Sequence, residues 1–278
     1  LRHEANLGVN PFKFGLIGST DSHTGMATTY EDNFFGKFAH DEPSVDRTEK
    51  RMADQLQKIW QLGSSGLAAV WAEENTRESL FRAIKRREVY ATSGTRIQLR
   101  FFGGWEFTQT DVMQADFASI GYRKGVPMGG DLNGHSDSGA PSFMVAASRD
   151  ADGANLDRIQ IIKGWLDANG ETQEQIYDVA LSDGRSANWL GKIAPVGNTV
   201  DIASASYSNS IGDPELTAVW TDPDFDPEQR AFYYARVIQI PTPRWTAYDR
   251  KYFGAVIDPR APDIIQDRAY SSPIWYTP

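Results

Sequence analysis

From residue 96 onward, apolar and polar residues alternate in short runs, and this pattern limits the fold of most of the chain. Gln98 and Arg100, for example, alternate with apolar neighbours, as in a strand with one buried face. Similar runs predict strands over residues 142–148, 157–164, 175–182, 198–205, 215–220, 231–240 and 252–257. Turn dipeptides such as Asn169-Gly170 separate them, and no comparable helical periodicity appears. We therefore expect residues 96–278 to form a β-sandwich domain.

The first 95 residues have a different pattern, in which helices and strands alternate. The predicted elements are a helix over residues 1–7, a buried strand over 12–18, an amphipathic helix over 47–62, a strand over 67–72 and a helix over 77–88. Asp46 and Glu49 resemble a capping box for the second helix. Thr76 is placed to cap the third, whose expected core face is Leu80, Phe81 and Ile84. We place a domain boundary near residue 95.

Polar residues follow the predicted strand 12–18 at once. Asp21 and His23 stand two residues apart, and in extended chain such residues point to the same side. A carboxylate and an imidazole that face one point suit two ligands of one metal ion. The alternative is a turn-forming aspartate beside a surface histidine.

A family resemblance adds to this interpretation. Residues 18–23, Gly-Ser-Thr-Asp-Ser-His, resemble the last metal-binding motif of the PHP (polymerase and histidinol phosphatase) superfamily, usually Gly-Ser-Asp-Ala-His. More of the chain resembles a bacterial family of unknown function affiliated with PHP metallohydrolases. The stretches that carry this resemblance are 7–15, 32–37, 70–75, 90–94, 125–130, 158–165 and 271–275. It implies an α+β chain in which residues 1–95 are the C-terminal portion of a PHP-like α/β barrel that precedes the sandwich.

The resemblance also implies an activity, which is hydrolysis of a small-molecule ester, expected to be phosphorylated, by metal-activated water. The implied cofactors are divalent zinc, manganese or iron ions, more than one in the complete protein, with Asp21 and His23 as the final ligand motif. PHP enzymes open with a His-x-His strand, and none of the four histidines here forms that pattern. We therefore expect a longer polypeptide whose N-terminal portion supplies further ligands. The resemblance alone suggests a periplasmic or secreted location, and the cytoplasm is the alternative.

Other polar residues are candidates for catalytic and substrate-binding roles. Glu73 and Glu74 follow the predicted strand 67–72, where adjacent carboxylates can contact substrate or support metal ligands. The alternative is one solvated glutamate and one paired with an arginine. The substrate-binding candidates are Thr20, Ser22, Thr24 and Asn75. The hydroxyls near the metal motif have a second interpretation as turn caps.

Composition excludes several classes of protein and site. The net charge of −9 argues against a general nucleic-acid binder, but a bound metal cation would still admit a phosphorylated substrate. The chain has no cysteine, so any zinc site must use nitrogen and oxygen ligands. No apolar run reaches the roughly 18 residues of a membrane helix. The other histidines, His3, His40 and His135, are expected to be structural or surface residues.

Two other functions fit the sequence. One is a binding or structural module without activity of its own, and the other is a metal-dependent hydrolase of another ester or amide, like a sulfatase or amidohydrolase. Metal content and activity distinguish the first alternative from the hydrolase. A comparison of phosphomonoesters, phosphodiesters and sulfate esters as substrates distinguishes the second.

Overall fold

A computed structural model describes residues 1–52, 57–134 and 139–278 of this protein. Its helices are α1 (Arg2–Leu7), α2 (Arg77–Lys85), α3 (Gln109–Val112), α4 (Phe117–Lys124) and α5 (Trp245–Phe253). Its strands are β1 (Leu67–Val70), β2 (Val89–Thr92), β3 (Gln98–Gly104), β4 (Gly125–Pro127), β5 (Asp131–Asn133), β6 (Ser142–Ser148), β7 (Leu156–Leu166), β8 (Thr172–Leu181), β9 (Glu215–Thr221), β10 (Ala231–Gln239), β11 (Thr242–Pro243), β12 (Ile264–Ile265), β13 (Arg268–Ser271) and β14 (Ile274–Thr277). None of the helices in these ranges has the length and apolar character needed to cross a membrane.

The strand β10 organises the larger sheet. Along one edge it pairs with β7, which continues to β8 through a turn at Gly170 with φ 76°. Its other edge is shared, because β14 pairs with the first half and β13 with the second half. The sheet extends from β13 to β2 and β1, and from β14 to the parallel strand β5. The predicted Asn169-Gly170 hairpin turn is therefore confirmed.

The smaller sheet has the order β4-β3-β6-β9 and is antiparallel throughout. Side chains of both sheets meet in one core, which includes Leu99, Phe101, Phe143 and Val145 from the smaller sheet and Ile159, Ile161, Tyr233 and Val237 from the larger. In β10 every second residue is buried, as the alternation in its sequence predicts. Two sheets around a shared core are the layers of a β-sandwich.

The predicted PHP-like barrel portion is wrong for the described residues. Such a barrel needs parallel strands that are each followed by a helix. Here β1 and β2 form an antiparallel pair, with Val70 opposite Val89, and β2 pairs with β13 of the larger sheet. Strand pairing thus crosses residue 95, although the proposed domain boundary itself stays a prediction.

The segment over residues 12–18 is not a strand, in contrast to the prediction. Phe12, Phe14 and Ile17 are each more than half exposed, so this apolar run does not lie in the core. Individual hydrogen bonds hold this segment in place. For example, the Gly18 amide donates to the Leu67 carbonyl at 3.1 Å. A Cβ on Gly18 would lie 2.5 Å from the carbonyl oxygens of Leu67 and Thr92. Glycine therefore lets the segment lie directly against β1 and β2.

The predicted helix over 47–62 is also wrong. The described part contains 3₁₀ turns at Arg47–Glu49 and Ile59–Gln61, and Leu56 lies outside the described residues. The apolar residues of this region still reach a core, as predicted, because Met52 and Ile59 pack with Trp245 in a small cluster. Burial of Arg47 and Thr48 at the start of the region conflicts with an amphipathic helix that has its polar face in water.

The predicted core face of α2 is wrong, and so are two of the predicted strands. In α2 the Thr76 hydroxyl caps the helix as predicted, accepting from the Ser79 amide at 3.3 Å. However, Ser79 and Ala83 form the buried face, while Phe81 and Ile84 are exposed. Residues 198–205 and 252–257 form no strand, and α5 covers the start of the second range.

A buried guanidinium joins the region before β1 to α5. Arg47 donates from Nε and Nη2 to the two carboxylate oxygens of Asp249 at 2.7 and 2.8 Å. Its Nη1 donates to the carbonyl oxygens of Phe34, at 2.8 Å, and Asp41, at 3.2 Å. The guanidinium lies 4.2 Å from the ring centre of Trp245. Burial raises the pKa of Asp249 and lowers that of Arg47, because desolvation penalises both charges.

We expect Asp249→Ala to lower the free energy of unfolding by about 3–5 kcal/mol, because it leaves the Arg47 charge buried without its partner. Urea unfolding followed by circular dichroism measures this change. The matched control is Arg250→Gln on the same helix, which breaks a partly exposed pair with Asp263. In that control the free energy of unfolding should fall by less than about 1 kcal/mol. An equally small fall in both variants would contradict the stabilising role given to the Arg47–Asp249 pair.

Candidate active site

Asp21 and His23 lie close together at the tip that follows Gly18. The distance from Asp21 Oδ1 to His23 Nε2 is 3.7 Å. Metal–ligand bonds of about 2.0–2.2 Å allow one ion to reach both atoms. The backbone differs from the extended tip that the sequence predicts, because Asp21 has φ 45°, in the left-handed region. Such a conformation is strained for a residue other than glycine and recurs at functional sites.

Lys37 is the main electrostatic partner of Asp21. Its ammonium directly contacts Asp21 Oδ2. Through this hydrogen bond and its charge, Lys37 holds the pKa of Asp21 below the ordinary aspartate value, and His23 adds a smaller effect. The backbone joins the same two segments, since the His23 amide donates to the Lys37 carbonyl at 2.8 Å. The loop that contains Lys37 therefore positions both predicted metal ligands.

An aromatic stack fixes the orientation of His23. Its ring lies 4.4 Å from the ring of Phe38, which stacks in turn on His40 at 5.5 Å. His40 Nε2 lies 3.1 Å from Oδ1 of the buried Asp41. His40 is thus separated from Asp21 by the Phe38 ring and does not join the two predicted ligands.

The Lys37 loop is held at both ends. The Phe38 amide donates to Asp41 Oδ2 at 3.1 Å, and Arg47 binds the carbonyls of Phe34 and Asp41. Gly36 has φ 125°, and a Cβ there would lie 2.6 Å from the Asp41 backbone oxygen. The loop therefore needs glycine at position 36, both for its conformation and for its close approach to Asp41.

The hydroxyl groups near Asp21 mainly shape their own loop. Thr20 Oγ1 accepts from the Ser22 amide at 3.3 Å. The Ser22 and Thr24 hydroxyls lie 3.2 Å apart, and Thr24 Oγ1 accepts from the Met26 amide at 3.1 Å. These are local side-chain turns, which the sequence allows as the alternative to substrate binding. Thr20 also lines the small cavity beside Asp21.

Glu73, Glu74 and Asn75 do not lie beside Asp21. Hydrogen bonds place Gly18 and Ser19 next to Leu67 and Gly66, at the start of β1, whereas Glu73 follows the end of that strand. All three candidates are exposed. The catalytic role of Glu73 and Glu74 and the substrate contact of Asn75 stay predictions, and the structure brings neither group to the predicted metal ligands.

The described residues supply two donors for a metal ion at this point. Within residues 1–52, 57–134 and 139–278, no group of three or more His, Asp or Glu side chains could hold a metal ion. His135 lies outside those residues. Asp21 and His23 therefore fit part of a metal site, and a catalytic ion usually needs at least three protein ligands.

Sequence reasoning missed Lys37 as a member of this site. Its contact with Asp21 joins residues sixteen positions apart in irregular chain, where no periodicity applies. The only signal is that Gly36-Lys37 lies within one stretch, residues 32–37, that carries the family resemblance.

A second cavity, of about 280 Å³, is lined in part by residues 29–32. Its carboxylates are Glu31, Asp32, Asp150, Asp152 and Asp267. Burial raises the pKa of Asp267 to about 6, while the Ser93 hydroxyl, which donates to it at 2.6 Å, acts in the opposite direction. Asp267 therefore disfavours the folded state when it is ionised.

Gly36→Ala should lower the free energy of unfolding by about 2 kcal/mol or more, since alanine is strained at this φ and meets Asp41. The control is Gly25→Ala in the same loop region, where a Cβ has no heavy atom within 4 Å. We expect that control to change stability by less than about 1 kcal/mol. Chemical denaturation of both variants tests the prediction, and equal stabilities would refute it.

The stability of the wild type should contain a pH-dependent contribution from Asp267. An unfolded aspartate has a pKa of about 3.9, so between pH 4 and the folded value of about 6 the folded state binds more protons. The stabilisation that comes from this extra proton falls as the pH rises through that range, and it is absent above about pH 6. Asp267→Asn should consequently be more stable than the wild type at pH 7.5 by roughly 2–3 kcal/mol. A difference that is constant from pH 4 to 7.5 would contradict this account.

One protein family matches the chain over its full length. The family model described as protein of unknown function (DUF3604) matches residues 1–278. No curated protein and no solved structure matches this chain.

Proposed function

Because the chain belongs to the DUF3604 family, whose description gives no activity, we propose its function from its own side chains. The proposal is a hydrolase that depends on divalent metal and acts on a small phosphate ester. The expected ions are zinc, manganese or iron, which all accept imidazole and carboxylate ligands.

The proposal depends most on the approach of Asp21 to His23. A carboxylate oxygen and an imidazole nitrogen 3.7 Å apart offer two ligands to one ion. The positive φ of Asp21 supports this interpretation, since the loop holds that carboxylate in a costly conformation. Phe38 supports it further by stacking on the His23 ring and restricting its rotation.

Asp21 and His23 would hold the ion, and the chain would position it through the Lys37 loop. When bound, a divalent ion lowers the pKa of water and stabilises charge that develops on a phosphoryl oxygen. Lys37 balances the Asp21 charge and presents an ammonium beside the same point. Phe38 shields one face of His23 from water.

Further ligands must come from outside the described residues, because two are too few for a catalytic ion. We propose that a preceding portion of the same polypeptide supplies them, as the PHP resemblance implies. The exposed side chains of Phe12, Phe14 and Ile17 support this proposal, since the segment that leads to Asp21 has an apolar surface.

A binding module without activity is the second candidate. The number of metal ligands favours this candidate, because the described residues form no complete group of three. Activity of the purified chain with added metal distinguishes the two. A sulfatase- or amidohydrolase-like reaction is a third candidate, and only the substrate profile separates it from phosphate ester hydrolysis.

We expect the chain to bind Mn²⁺ or Zn²⁺, and Asp21→Asn or His23→Gln to weaken that binding by about tenfold or more, because each removes a ligand. Isothermal titration calorimetry measures the affinity. His40→Gln is the matched control, since His40 lies behind Phe38 and should leave the affinity unchanged. Unchanged affinity in both ligand variants would refute the metal site.

The reaction is tested in the longer polypeptide that is proposed to supply the further ligands. Its metal-loaded form should release phosphate from a phosphomonoester, and Asp21→Asn should reduce the rate by at least about 100-fold, because a displaced ion no longer activates water. Phosphodiesters and sulfate esters are assayed in parallel. Metal binding without hydrolysis of any of these esters would favour the binding module.

A further inference from the structure

The second cavity, which residues 29–32 help to line, is strongly acidic. Its carboxylates come from three separate parts of the chain, namely Glu31 and Asp32, Asp150 and Asp152, and Asp267. Among the described residues that line it, none is a lysine or an arginine. Arg96 contacts the hydroxyl of the lining residue Tyr30, and Arg149 donates to the carbonyl of the lining residue Gly153, but neither arginine lines the cavity itself. The described lining therefore presents negative charge without a cation to balance it.

The fold compensates the Asp267 carboxylate only in part. Its Oδ1 accepts from the Ser93 hydroxyl at 2.6 Å, and within residues 1–52, 57–134 and 139–278 no group donates to its Oδ2. Burial raises the pKa of Asp267, so its ionised form destabilises the folded chain. A cation bound beside Oδ2 would offset this destabilisation.

Two further oxygens of lining residues lack a donor. Gln239 is 2% exposed, and its Nε2 donates to Thr95 Oγ1 at 3.0 Å and to the Ala154 carbonyl at 3.3 Å. These two bonds use both of its N–H groups, and no described residue donates to its Oε1. Glu31 Oε2 accepts from the Trp245 amide at 2.6 Å, whereas its Oε1 is buried without a partner in the described chain. Because buried polar groups are normally hydrogen-bonded, these oxygens point to a donor from a ligand.

Tyrosine rings form another part of the lining. Tyr207 and Tyr248 both line the cavity. Burial and the charge of Asp32 raise the pKa of Tyr248 to about 12. Burial, together with the charges of Asp150 and Asp267, also raises the pKa of Tyr207. The carboxylates thus lie close enough to act on both rings, and the faces of such rings attract cations.

The free acceptors and the size of the cavity determine the class of cation. No group of three or more His, Asp or Glu side chains in the described ranges could hold a metal ion, so an organic cation fits better. Oxygens without a donor require N–H groups, and a protonated primary amine carries three of them. The volume of about 280 Å³ is just below the range of about 300–1,000 Å³ that is typical of drug-sized ligands. A small aliphatic amine therefore matches this cavity.

We propose that this cavity binds a small aliphatic diamine in its protonated form. One ammonium group donates to Asp267 Oδ2 and Gln239 Oε1, whose residues are joined by a bond of 2.9 Å from the Gln239 amide to the Asp267 carbonyl. The second ammonium group lies by Asp32 and Asp152, which are exposed carboxylates of the same lining. The site is independent of the proposed metal site, whose residues do not line this cavity.

The test is calorimetric titration of 1,4-diaminobutane into the chain at about pH 7.5 and low ionic strength, where charges are weakly screened. Asp267→Asn should weaken binding by about tenfold or more, because it removes the charged acceptor of one ammonium group. Asp116→Asn is the matched control and should stay within about twofold of the wild type. It removes the same charge from an exposed residue that makes no side-chain capping bond and does not line the cavity.

The proposal is overturned if the wild type does not bind 1,4-diaminobutane, if Asp267→Asn stays within about twofold of the wild type, or if Asp116→Asn loses as much affinity. Tetramethylammonium has no N–H donor and should bind at least about tenfold more weakly, so an equal affinity would also overturn it. Binding of Ca²⁺ as tight as that of the diamine would assign the cavity to metal ions instead. If Asp267→Asn does not fold by circular dichroism, Asp152→Asn takes its place, and unchanged diamine affinity in that variant overturns the proposal.

Discussion

The buried Arg47–Asp249 pair is the interaction on which the candidate site depends. One guanidinium binds the carboxylate of α5 and three carbonyls of the loop that carries Lys37, those of Phe34, Phe35 and Asp41. This loop has little regular structure, so side-chain bonds to its carbonyls replace a strand ladder. Lys37 then contacts Asp21, and Phe38 stacks on His23. The position of the predicted metal ligands thus follows from a charge about two hundred residues away in sequence.

The sandwich could be predicted from sequence because its strands bury one face. The alternation around Gln98 and the run over 142–148 correspond to β3 and β6, and Asn169-Gly170 forms the predicted turn. The region before β1 could not be predicted in this way. Residues 12–18 are apolar without being buried, and the helical spacing after Asp46 occurs in 3₁₀ turns. In both cases tertiary contacts, not local periodicity, decide the conformation.

The candidate site, too, could be predicted from the sequence only in part. The two-residue spacing of Asp21 and His23 was enough to predict that they meet, although the backbone between them is not extended. Lys37 could not be found because its contact with Asp21 joins two irregular segments. Glu73 and Glu74 were proposed because they are adjacent carboxylates at the end of a predicted strand, and strand ends gather at one rim in a barrel of parallel strands. An antiparallel β1–β2 pair gives those glutamates no such neighbour.

The shared edge of β10 has a consequence for the order of folding. β13 and β14 both pair with that edge, and β13 connects it to β2 and β1, which pack against the segment leading to Asp21. These contacts join the two ends of the sequence, as does Arg47 with Asp249. Contacts of such large sequence separation form slowly, because a long loop must close first. During synthesis, the Asp21 loop can therefore reach its full set of stabilising contacts only after β13 and α5 have been synthesised.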